Sequence, residues 1–565
     1  MTDSNGDGHF DQRKVFKEGL NLVSGIEVGY GGVWIGAAPQ LLFIPDRDSN
    51  DVPDAEPEVL LDGFGYGDTH ETLNSFMWGP NGWLYGNQGV FNTSLIGKLG
   101  AADAEREQMS AGVWRYHPVQ HKFEVFAHGG SNQWGLDYDQ HGQIFMTHCR
   151  SFWGQGPTTH VMRNGHYWNQ VNGGYARFIS STALPDMPHM KNYLLASARY
   201  GHGEGGAGKA GSREVYGGHS HVGTMLYLGD NWPAEYRNHL FTLNLHGHQI
   251  NHQVNERLGG GYNSVHAGAD VLFCGDQQFI GVDLQVGPDG AVYISDWYDP
   301  RHCHNPNTEL WDRGNGRIYR MKYDDGYHPL VVDYANASIG TLVEAQKHKN
   351  HWHARAARMV LAERAAFGKL AEATNQQLLA LTTSDNVVHR LHGLWALQMT
   401  GMADSWLISE LLNDKSEYVR GWAVQVGCEI LQPAEVGALL RNHAGSEKSL
   451  FVCRYLASAL PDLGADDAWS IAALLLGNDE LDTDRDLPHL LWQCLASRMD
   501  EDLQRGLALA RQTDSQTMRD SILWYAARTS DQGREAIAEK LSQASAAEQP
   551  RLLNLLAHAL RGMRN

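Results

Sequence analysis

Polar residues that can move protons or bind metals recur at the ends of short apolar stretches in the first part of the chain. Apolar stretches bounded by turn residues predict β-strands, so these side chains are expected where strands end. Imidazole, carboxylate and guanidinium groups in one cluster suit proton abstraction from a hydroxyl, or metal binding. The candidates for catalysis are His70, His148, Arg150, His246 and Asp296. The candidates for cofactor binding are Asn87, Gln88, Asn132, His219 and His221.

Two of these assignments leave alternatives open. His219 and His221 are two positions apart, as are His302 and His304, so each pair can present two imidazoles on one side of an extended chain. Such a pair either binds a metal or is hydrogen-bonded within a loop. Asp296 follows an apolar strand, where its carboxylate either takes part in chemistry or caps the end of the strand.

Two loops carry oxygen-bearing side chains in the alternating pattern of a calcium loop. The first loop supplies Asp3, Asn5, Asp7 and Asp11, and the second supplies Asp46, Asp48, Asn50 and Asp54. The second loop has Asp51 where the first has a glycine. Alternating oxygens can converge on one hard cation, so the pattern predicts calcium at both loops. Turns closed by Asp and Asn side chains, without metal, are the alternative.

Repeated hairpins supply the elements that must position these residues. Gly287–Asp299 (GPDGAVYISDWYD) joins a Pro-Asp-Gly turn to an apolar strand, and similar patterns occupy residues 29–37, 79–89 and 137–150. Residues 223–247 predict one more pair of strands about a polar turn. Hairpins at such intervals are typical of β-propeller blades. Because the residues flanking a hairpin emerge opposite its turn, the candidate residues should rim one central well, with the calcium loops on the turn face.

The apolar period changes from 2 to 3.6 near residue 340, which predicts short amphipathic helices. Arginines at positions 355, 390, 420 and 454 recur every 30 to 35 residues, an interval that fits two-helix units of a HEAT-like α-solenoid. The sequence therefore predicts a propeller over residues 1–328 and HEAT-like helical repeats over residues 329–565. Solenoids mainly offer surface, so a scaffold role is expected for the second domain.

Composition excludes several classes of partner and cofactor. The chain has 45 Lys and Arg against 65 Asp and Glu, a net charge of −20, and no basic patch, so nucleic acid and anionic lipid are not expected partners. Its apolar runs are too short for a membrane span, and its polar start does not resemble a signal peptide. The six cysteines form no CxxC or CxxCH motif, so no haem is attached in this chain.

Residues 1 to about 430, and most strongly residues 65–325, resemble the soluble quinoprotein glucose/sorbosone dehydrogenase family. They resemble still more the dehydrogenase-like propeller proteins in which this domain is followed by HEAT repeats and often by a c-type cytochrome module. The resemblance rests on the segments THETLNSFMWGPNGWLYG, NQWGLDYDQHG, GTMLYLGDNWPAEYRNHLFTLNLHG and ISDWYDPRHCHNPNTELWDRGNGRIYR. It implies a six-bladed propeller, a periplasmic or extracellular location, and oxidation of a sugar or alcohol with pyrroloquinoline quinone (PQQ).

The resemblance also assigns roles to single positions, and two of them depart from the family pattern. His70 is the nearest match to the family's catalytic base. Asn87 and Gln88 occupy the place of the aspartate that orients this base, and Ser131 replaces an arginine that contacts the quinone. Residues 1–20 are similar to the outer edge of a blade without its inner strands, so an amino-terminally incomplete propeller is expected.

Three functions are consistent with these patterns. The leading hypothesis is an exported, calcium-binding dehydrogenase of sugars or alcohols, with His70 as general base and a cytochrome module or other protein as partner of the solenoid. A propeller that binds glycan or protein without catalysis is the first alternative. A metal-dependent hydrolase that uses the His and Asp residues of the rim is the second.

Overall fold

The computed structural model describes residues 1–5, 7, 9–149, 156–169, 176–180, 182–198, 220–245, 247–267, 269–299, 314–371 and 373–561. Strands occupy the first part of this chain and helices the second. The strands are, in chain order, β1 (Val23–Val28), β2 (Gly32–Ala37), β3 (Gln40–Pro45), β4 (Glu58–Leu61), β5 (Asn74–Trp78), β6 (Leu84–Gln88), β7 (Ser94–Ile96), β8 (Glu107–Met109), β9 (Gly112–His117), β10 (Lys122–Gly130), β11 (Gln133–Tyr138), β12 (Ile144–His148), β13 (Thr158–Val161), β14 (His166–Asn169), β15 (His221–Leu226), β16 (Leu240–Asn244), β17 (Gln249–Leu258), β18 (Gly261–His266), β19 (Leu272–Phe273), β20 (Gly281–Val286), β21 (Val292–Asp296) and β22 (Arg317–Met321).

The hairpins that the sequence predicts are present, and their turns depend on glycine. Gly82, Gly142 and Gly290 have φ values of 79°, 76° and 74°, a left-handed conformation that glycine adopts without a steric penalty. Each turn joins the two inner strands of one sheet, β5 to β6, β11 to β12 and β20 to β21. The turn chemistry of the sequence therefore fixes the inner hairpins of the propeller.

The described residues form five blades rather than the six that the resemblance implied. The blades are the sheets β1-β2-β3-β4, β5-β6-β9-β10-β14, β11-β12-β13, β15-β16-β17-β18 with β19, and β20-β21-β22; β7 and β8 form a separate ribbon. Their inner strands contact one another in the order β1, β5, β11, β15, β20. The sequence contains five inner hairpin patterns, and these account for the five blades.

Aromatic side chains fill the space between neighbouring blades. Trp34 of β2 contacts the rings of Phe43 and Trp78, and Trp114 of β9 contacts Phe64 and Phe76. All of these residues belong to one apolar cluster between the first and second blades. Large rings on facing sheets bury much apolar area, which holds the blades around a common axis.

Blade 1 has an outer flank that no other blade covers in the described chain. Ile26 and Val28 of β1 point to this flank and are 61% and 67% exposed. The amino-terminal segment covers the outer part of the flank, where Phe16 and Leu20 pack against the apolar cluster of β2 and β3. The same segment contacts Tyr293 of β21 through Phe10.

The amino-terminal segment is not the outer strand pair that the sequence suggested. Residues 1–20 contain one isolated bridge, between Thr2 and Gln12, and no strand among their described positions. Side chains of the acidic loop bond its own backbone instead of a neighbouring strand. These local bonds compete with sheet pairing, which explains the difference.

The helices are α1 (Ile339–Glu344), α2 (His351–Ala366), α3 (Ala373–Thr382), α4 (Val387–Met399), α5 (Ser405–Leu411), α6 (Glu417–Ile430), α7 (Pro433–Ala444), α8 (Leu450–Ala459), α9 (Ala465–Leu475), α10 (Leu487–Leu495), α11 (Arg498–Glu501), α12 (Leu503–Gln512), α13 (Gln516–Thr529), α14 (Asp531–Gln543) and α15 (Gln549–Arg561). One row of contacts runs through α2, α4, α6, α8, α10, α13 and α15, and a second row includes α5, α7 and α9. No described helix is both long enough and apolar enough to cross a membrane.

Arginine ion pairs connect successive helices of the first row. Arg390, Arg420 and Arg454 pair with Asp414, Glu447 and Asp484 at 2.9, 2.7 and 2.9 Å. Each carboxylate lies three residues before the next helix of the row. Arg355 differs, because it pairs with Asp137 of β11 at 2.7 Å and so joins the first long helix to the propeller.

The helices cover the turn face of the propeller. Trp422 of α6 donates to the carbonyl oxygen of His141 at 2.8 Å, and Gln143 donates to the hydroxyl of Tyr455 at 2.8 Å. Arg115 of β9 is fully buried and pairs with Glu429 of α6 at 2.5 Å. A single apolar cluster includes residues of both regions. The propeller and the helices therefore share one core on this face.

Candidate functional site

A cavity of about 650 Å³ lies between the inner strands of the five blades, and the exposed Ile26 of blade 1 is part of its lining. We call it the well. It lies within the size range of small-molecule sites, roughly 300–1,000 Å³. Residues on or beside the inner strands of all five blades line it: Val23, Ser24, Gly25, Ile26, Asp68, His70, Glu71, Ser75, Phe76, Asn132, Trp134, Cys149, Ser220, Val222, Leu245, Val282, Asp283, Gln285, Ser295, Asp296 and Trp297.

Asp68 and His70 form a pair on the wall of the well. A short 3₁₀ turn over Thr69–Glu71 begins after Asp68, whose carboxylate accepts from the backbone N–H of His70 at 3.0 Å. The same oxygen lies 3.1 Å from Nδ1 of His70, and this hydrogen bond lowers the pKa of Asp68. An ionised carboxylate at Nδ1 keeps the proton on that nitrogen, so Nε2 is the basic nitrogen of the ring.

Asn92 fixes the position of this pair. The backbone N–H of Asp68 donates to Oδ1 of Asn92 at 2.8 Å, and Nδ2 of Asn92 donates to the carbonyl oxygen of Asp68 at 2.8 Å. Two hydrogen bonds to one backbone unit leave Asp68 little freedom to turn away. The orientation of the His70 ring is thus set from the loop that follows β6.

Glu71 places a second carboxyl group directly behind Asp68. It is 2% exposed, and burial together with the nearby Asp68 carboxylate raises the pKa of Glu71 to about 8. One of its oxygens accepts from the N–H of Phe91 at 3.2 Å, while Oε1 has no donor in the described part of the chain. A proton on Glu71 at neutral pH turns the contact with Asp68 from repulsion into a hydrogen bond.

The remaining carboxyl groups of the well come from the last blade. Asp296, at the end of β21, accepts from the backbone N–H groups of Ile280 and Tyr298, both at 2.8 Å. It therefore caps the strand end, which was the alternative to a catalytic role, although it also lines the well. Asp283 of β20 lies on the same wall, where burial raises its pKa to about 6.

The structure brings together three of the predicted site residues, His70, Asn132 and Asp296, on the wall of the well. His148 and His221 are buried in β12 and β15 and are not among the lining side chains. Nε2 of His148 lies 3.3 Å from the hydroxyl of Thr159. Arg150, His219 and His246 lie outside the described residues, as do His302 and His304.

Asn87 and Gln88 serve the packing of the blades rather than the lining of the well. Asn87 donates to the carbonyl oxygen of Gly135 in the next blade at 3.1 Å. Gln88 donates to the carbonyl oxygen of Asn92 at 2.6 Å and so supports the loop that holds Asp68. Both side chains are fully buried.

Both predicted calcium loops are closed by their own side chains. In the first loop Asp11 accepts from the N–H of Ser4 at 2.9 Å, and Asp7 accepts from the N–H of His9 at 2.8 Å. In the second loop the Asp46 carboxylate accepts from the N–H groups of residues 50 and 51, both at 3.1 Å. Among the described residues no group of three or more His, Cys, Asp or Glu side chains could hold a metal. Calcium at these loops stays a prediction.

Sequence reasoning missed Asp68 and Glu71. Asp68 stands two residues before His70, and an aspartate at that spacing commonly accepts from the N–H two residues on. This local pattern was visible in the sequence. The burial of Glu71 was not, because it depends on the loop that follows β6.

The sequence profile of one protein family, described as a domain of unknown function (DUF7133), matches residues 1–325. The chain belongs to this family. The DUF7133 match covers the segment that forms the five blades. A search of the curated proteins finds no match.

Several solved structures are similar to about half of this chain. An oxidoreductase of the glucose dehydrogenase type from Thermus thermophilus is 13% identical, with a TM-score of 0.29, over 54% of this chain and 97% of its own. The PQQ-bound aldose sugar dehydrogenase from Streptomyces coelicolor is 11% identical, with a TM-score of 0.27, over 54% and 95%. A luciferin-regenerating enzyme is 10% identical, with a TM-score of 0.28, over 55% and 80%. Similarities this low carry no conclusion about what the chain binds.

Proposed function

We propose that the well binds an uncharged polyhydroxylated molecule, such as a sugar, and oxidises one of its hydroxyl groups in a dehydrogenase reaction. The observation that carries this proposal is the Asp68–His70 pair on the wall of a cavity large enough for such a ligand. A histidine whose Nδ1–H is held by a carboxylate is an oriented general base. Hydroxyl and amide groups from Ser75, Asn132 and Gln285 can bind the other hydroxyls of the ligand.

In the proposed step the alcohol group gives its hydroxyl proton to one acceptor and its carbon-bound hydrogen to another. Nε2 of His70 takes the proton of the hydroxyl, and the carbinol carbon gives its hydrogen with both electrons to an uncharged two-electron acceptor of the quinone class. A C=O bond forms as the O–H and C–H bonds break. Asp68 stabilises the imidazolium that results, because its carboxylate lies 3.1 Å from Nδ1.

The described wall of the well does not fit PQQ, and no step is derived through it. PQQ carries three carboxylate groups. The wall presents four carboxyl groups, from Asp68, Glu71, Asp283 and Asp296, and no lysine or arginine among its described residues. Placing several negative charges beside such a wall is unfavourable unless cations compensate them. Arg150, which follows the lining residue Cys149, lies outside the described residues.

Dye reduction with a panel of sugars and polyols tests the proposal. The purified protein is assayed with a neutral quinone as mediator, and separately with PQQ and calcium. We expect oxidation with the neutral quinone that is lost in His70→Ala and kept in His328→Ala, a control at an exposed histidine away from the well. Equal rates in the wild type and His70→Ala would refute the role of His70, and no oxidation of any compound would refute the dehydrogenase reaction.

Binding without catalysis is the second candidate, and a separate observation favours it. Phe76, Trp134 and Trp297 line the same well as its polar groups. Aromatic faces beside hydroxyl and amide groups suit a sugar ring, whether or not it is oxidised. Calorimetric titration with the same panel separates the two functions, because a ligand that binds the wild type and His70→Ala equally, without dye reduction, supports the binding module.

The other expectations from the sequence remain proposals. We propose that the helical region is a HEAT-like solenoid. Two observations support this: the helices form two rows, and arginine ion pairs connect successive helices of the first row. We propose calcium in the two acidic loops, a periplasmic or extracellular location, and a protein partner or cytochrome module for the helical region. Metal analysis after dialysis tests the metal-dependent hydrolase, which predicts a bound transition metal.

A further inference from the structure

A second cavity, of about 460 Å³, lies where the propeller meets the first helices, away from the well. We call it the junction pocket. It is lined by Gln140, Asp230, Trp232, Ala234, Arg237, Gln346, Lys347, His348, Lys349, His351, Asn386, Val388, His389 and His392. Four histidines and three cationic side chains surround it, against one carboxylate, in a protein whose net charge is −20. We propose that the junction pocket binds a small oxyanion, such as a molecule that bears a phosphate group.

A buried arginine without a carboxylate partner lies beside the pocket and contacts Gln346 of its lining. Arg358 of α2 is 2% exposed, and it donates to Oε1 of Gln346 at 3.0 Å and to the hydroxyl of Tyr138 at 3.4 Å. Neither acceptor is charged, and no described carboxylate pairs with Arg358. A buried unpaired charge is unfavourable, so an anion in the neighbouring cavity would stabilise it.

Arg237 adds a second positive charge, and within the described part of the chain its hydrogen bonds go only to backbone carbonyl oxygens. Its guanidinium donates to the carbonyl oxygens of Leu228, Gly229 and Lys349, at 3.1, 2.7 and 2.6 Å. Asp230 on the rim offsets part of this charge, and Glu344 pairs with Lys347 at 2.7 Å. The positive charges of Arg237, Arg358 and Lys349 therefore remain without an ion pair in the described chain.

His351 is a buried polar side chain on the wall of the positively charged pocket. It is 6% exposed and lines the pocket, and its ring nitrogens have no hydrogen-bond partner among the described residues. Burial lowers its pKa well below the usual value, and His392, Arg237, Arg355 and Arg358 lower it further. Its ring is therefore neutral, and its N–H is available to donate to a bound oxyanion.

Two helices also begin at the pocket. α2 starts at His351 and α4 at Val387, and residues at both starts line the cavity. The amino-terminal end of a helix carries a partial positive charge, and this favours an anion. Together with His351 and the unpaired cations, the two helix ends make one concave, positively charged site.

Thermal unfolding in inorganic phosphate tests the proposal against chloride at equal ionic strength and pH. A ligand that binds the folded state raises the melting temperature at millimolar concentrations, where general salt effects are small, so millimolar phosphate should stabilise the protein more than chloride does. Calorimetric titration then gives the affinity. Citrate in place of phosphate shows whether carboxylates serve as well.

Two variants locate the bound anion. Lys349→Glu reverses an exposed charge on the rim, and we expect about tenfold weaker phosphate binding from it. Lys369→Glu makes the same change beyond the opposite end of α2 and should bind phosphate as the wild type does. His351→Ala, with its unliganded melting temperature as a check on folding, should also weaken binding. Equal stabilisation by phosphate and chloride, or phosphate binding unchanged in Lys349→Glu and His351→Ala, would overturn the proposal.

Discussion

The substitution Glu71→Gln tests whether the wall of the well contains a neutral carboxylic acid. Folding raises the pKa of Glu71 from 4.5 to about 8, through burial and the Asp68 carboxylate. Below pH 4.5 the folded and unfolded chains both hold this proton. As the pH rises towards 8 only the unfolded chain releases it, so the stability that neutral Glu71 contributes is lost across this window. Glutamine keeps the shape of the side chain and can donate to Asp68, but it does not ionise.

The size of the effect follows from the two pKa values. A difference of one pKa unit corresponds to about 1.4 kcal/mol. Between pH 5 and pH 7 the unfolded chain is mostly ionised at this position while the folded chain keeps the proton, so the free energy of unfolding falls by roughly 2 kcal/mol. The free energy of unfolding of Glu71→Gln does not fall in this way, because glutamine does not ionise. The stability of Glu71→Gln relative to the wild type should therefore rise by roughly 2 kcal/mol from pH 5 to pH 7.

Urea unfolding followed by tryptophan fluorescence at pH 5, 6 and 7 measures this difference. Titrating groups that do not contact residue 71 contribute equally in the two proteins, so their contributions cancel, and Asp68 keeps its charge over this range because its pKa is lowered. Glu235→Gln, at an exposed glutamate of the propeller, is the matched control, and its relative stability should not change with pH. A relative stability of Glu71→Gln that stays constant from pH 5 to pH 7 would refute the neutral carboxyl group.

Three further substitutions test other parts of the molecule. Asp68→Asn removes the carboxylate that holds Nδ1–H of His70, so sugar oxidation should fall about 100-fold while calorimetry shows unchanged sugar affinity; an unchanged rate would contradict the pair. Glu429→Gln leaves the buried Arg115 with one carboxylate instead of two, and urea unfolding should show a loss of about 2 kcal/mol; no loss would mean that the pair contributes nothing to the shared core. Calcium added after chelation should raise the melting temperature of the wild type more than that of Asp46→Ala, and equal shifts would exclude a site in the second loop.

The inner hairpins could be predicted from the sequence because their signals are local. A Pro-Asp-Gly or Pro-Asn-Gly turn needs a glycine with positive φ, and Gly82 and Gly290 have that conformation. The number of blades was taken from the resemblance and was wrong for the described chain. The hairpin patterns themselves, counted one by one, give the five blades that the structure shows.

The candidate site was only partly predictable, because a position at a strand end does not tell which way the side chain faces. His70 lies before β5 on a short turn, and the turn directs it to the well. His148 and His221 lie within paired strands, where side chains alternate between two faces that both pack against neighbouring structure. Burial between blades therefore removes them from the lining of the well, although their sequence positions resemble that of His70.

The arginine ion pairs between successive helices limit where the proposed partner of the helical region can bind. Arg390, Arg420 and Arg454 lie on the row of helices whose side chains also hold the propeller, so that row is already occupied. The second row does not share these contacts, and it exposes Trp406 of α5 by 61% and Leu474 of α9 by 40%. A partner on the second row would leave the well open, because the helices cover the turn face while the Asp68–His70 pair lies on the other side. Binding of the proposed partner and reaction of the proposed substrate would therefore not exclude each other.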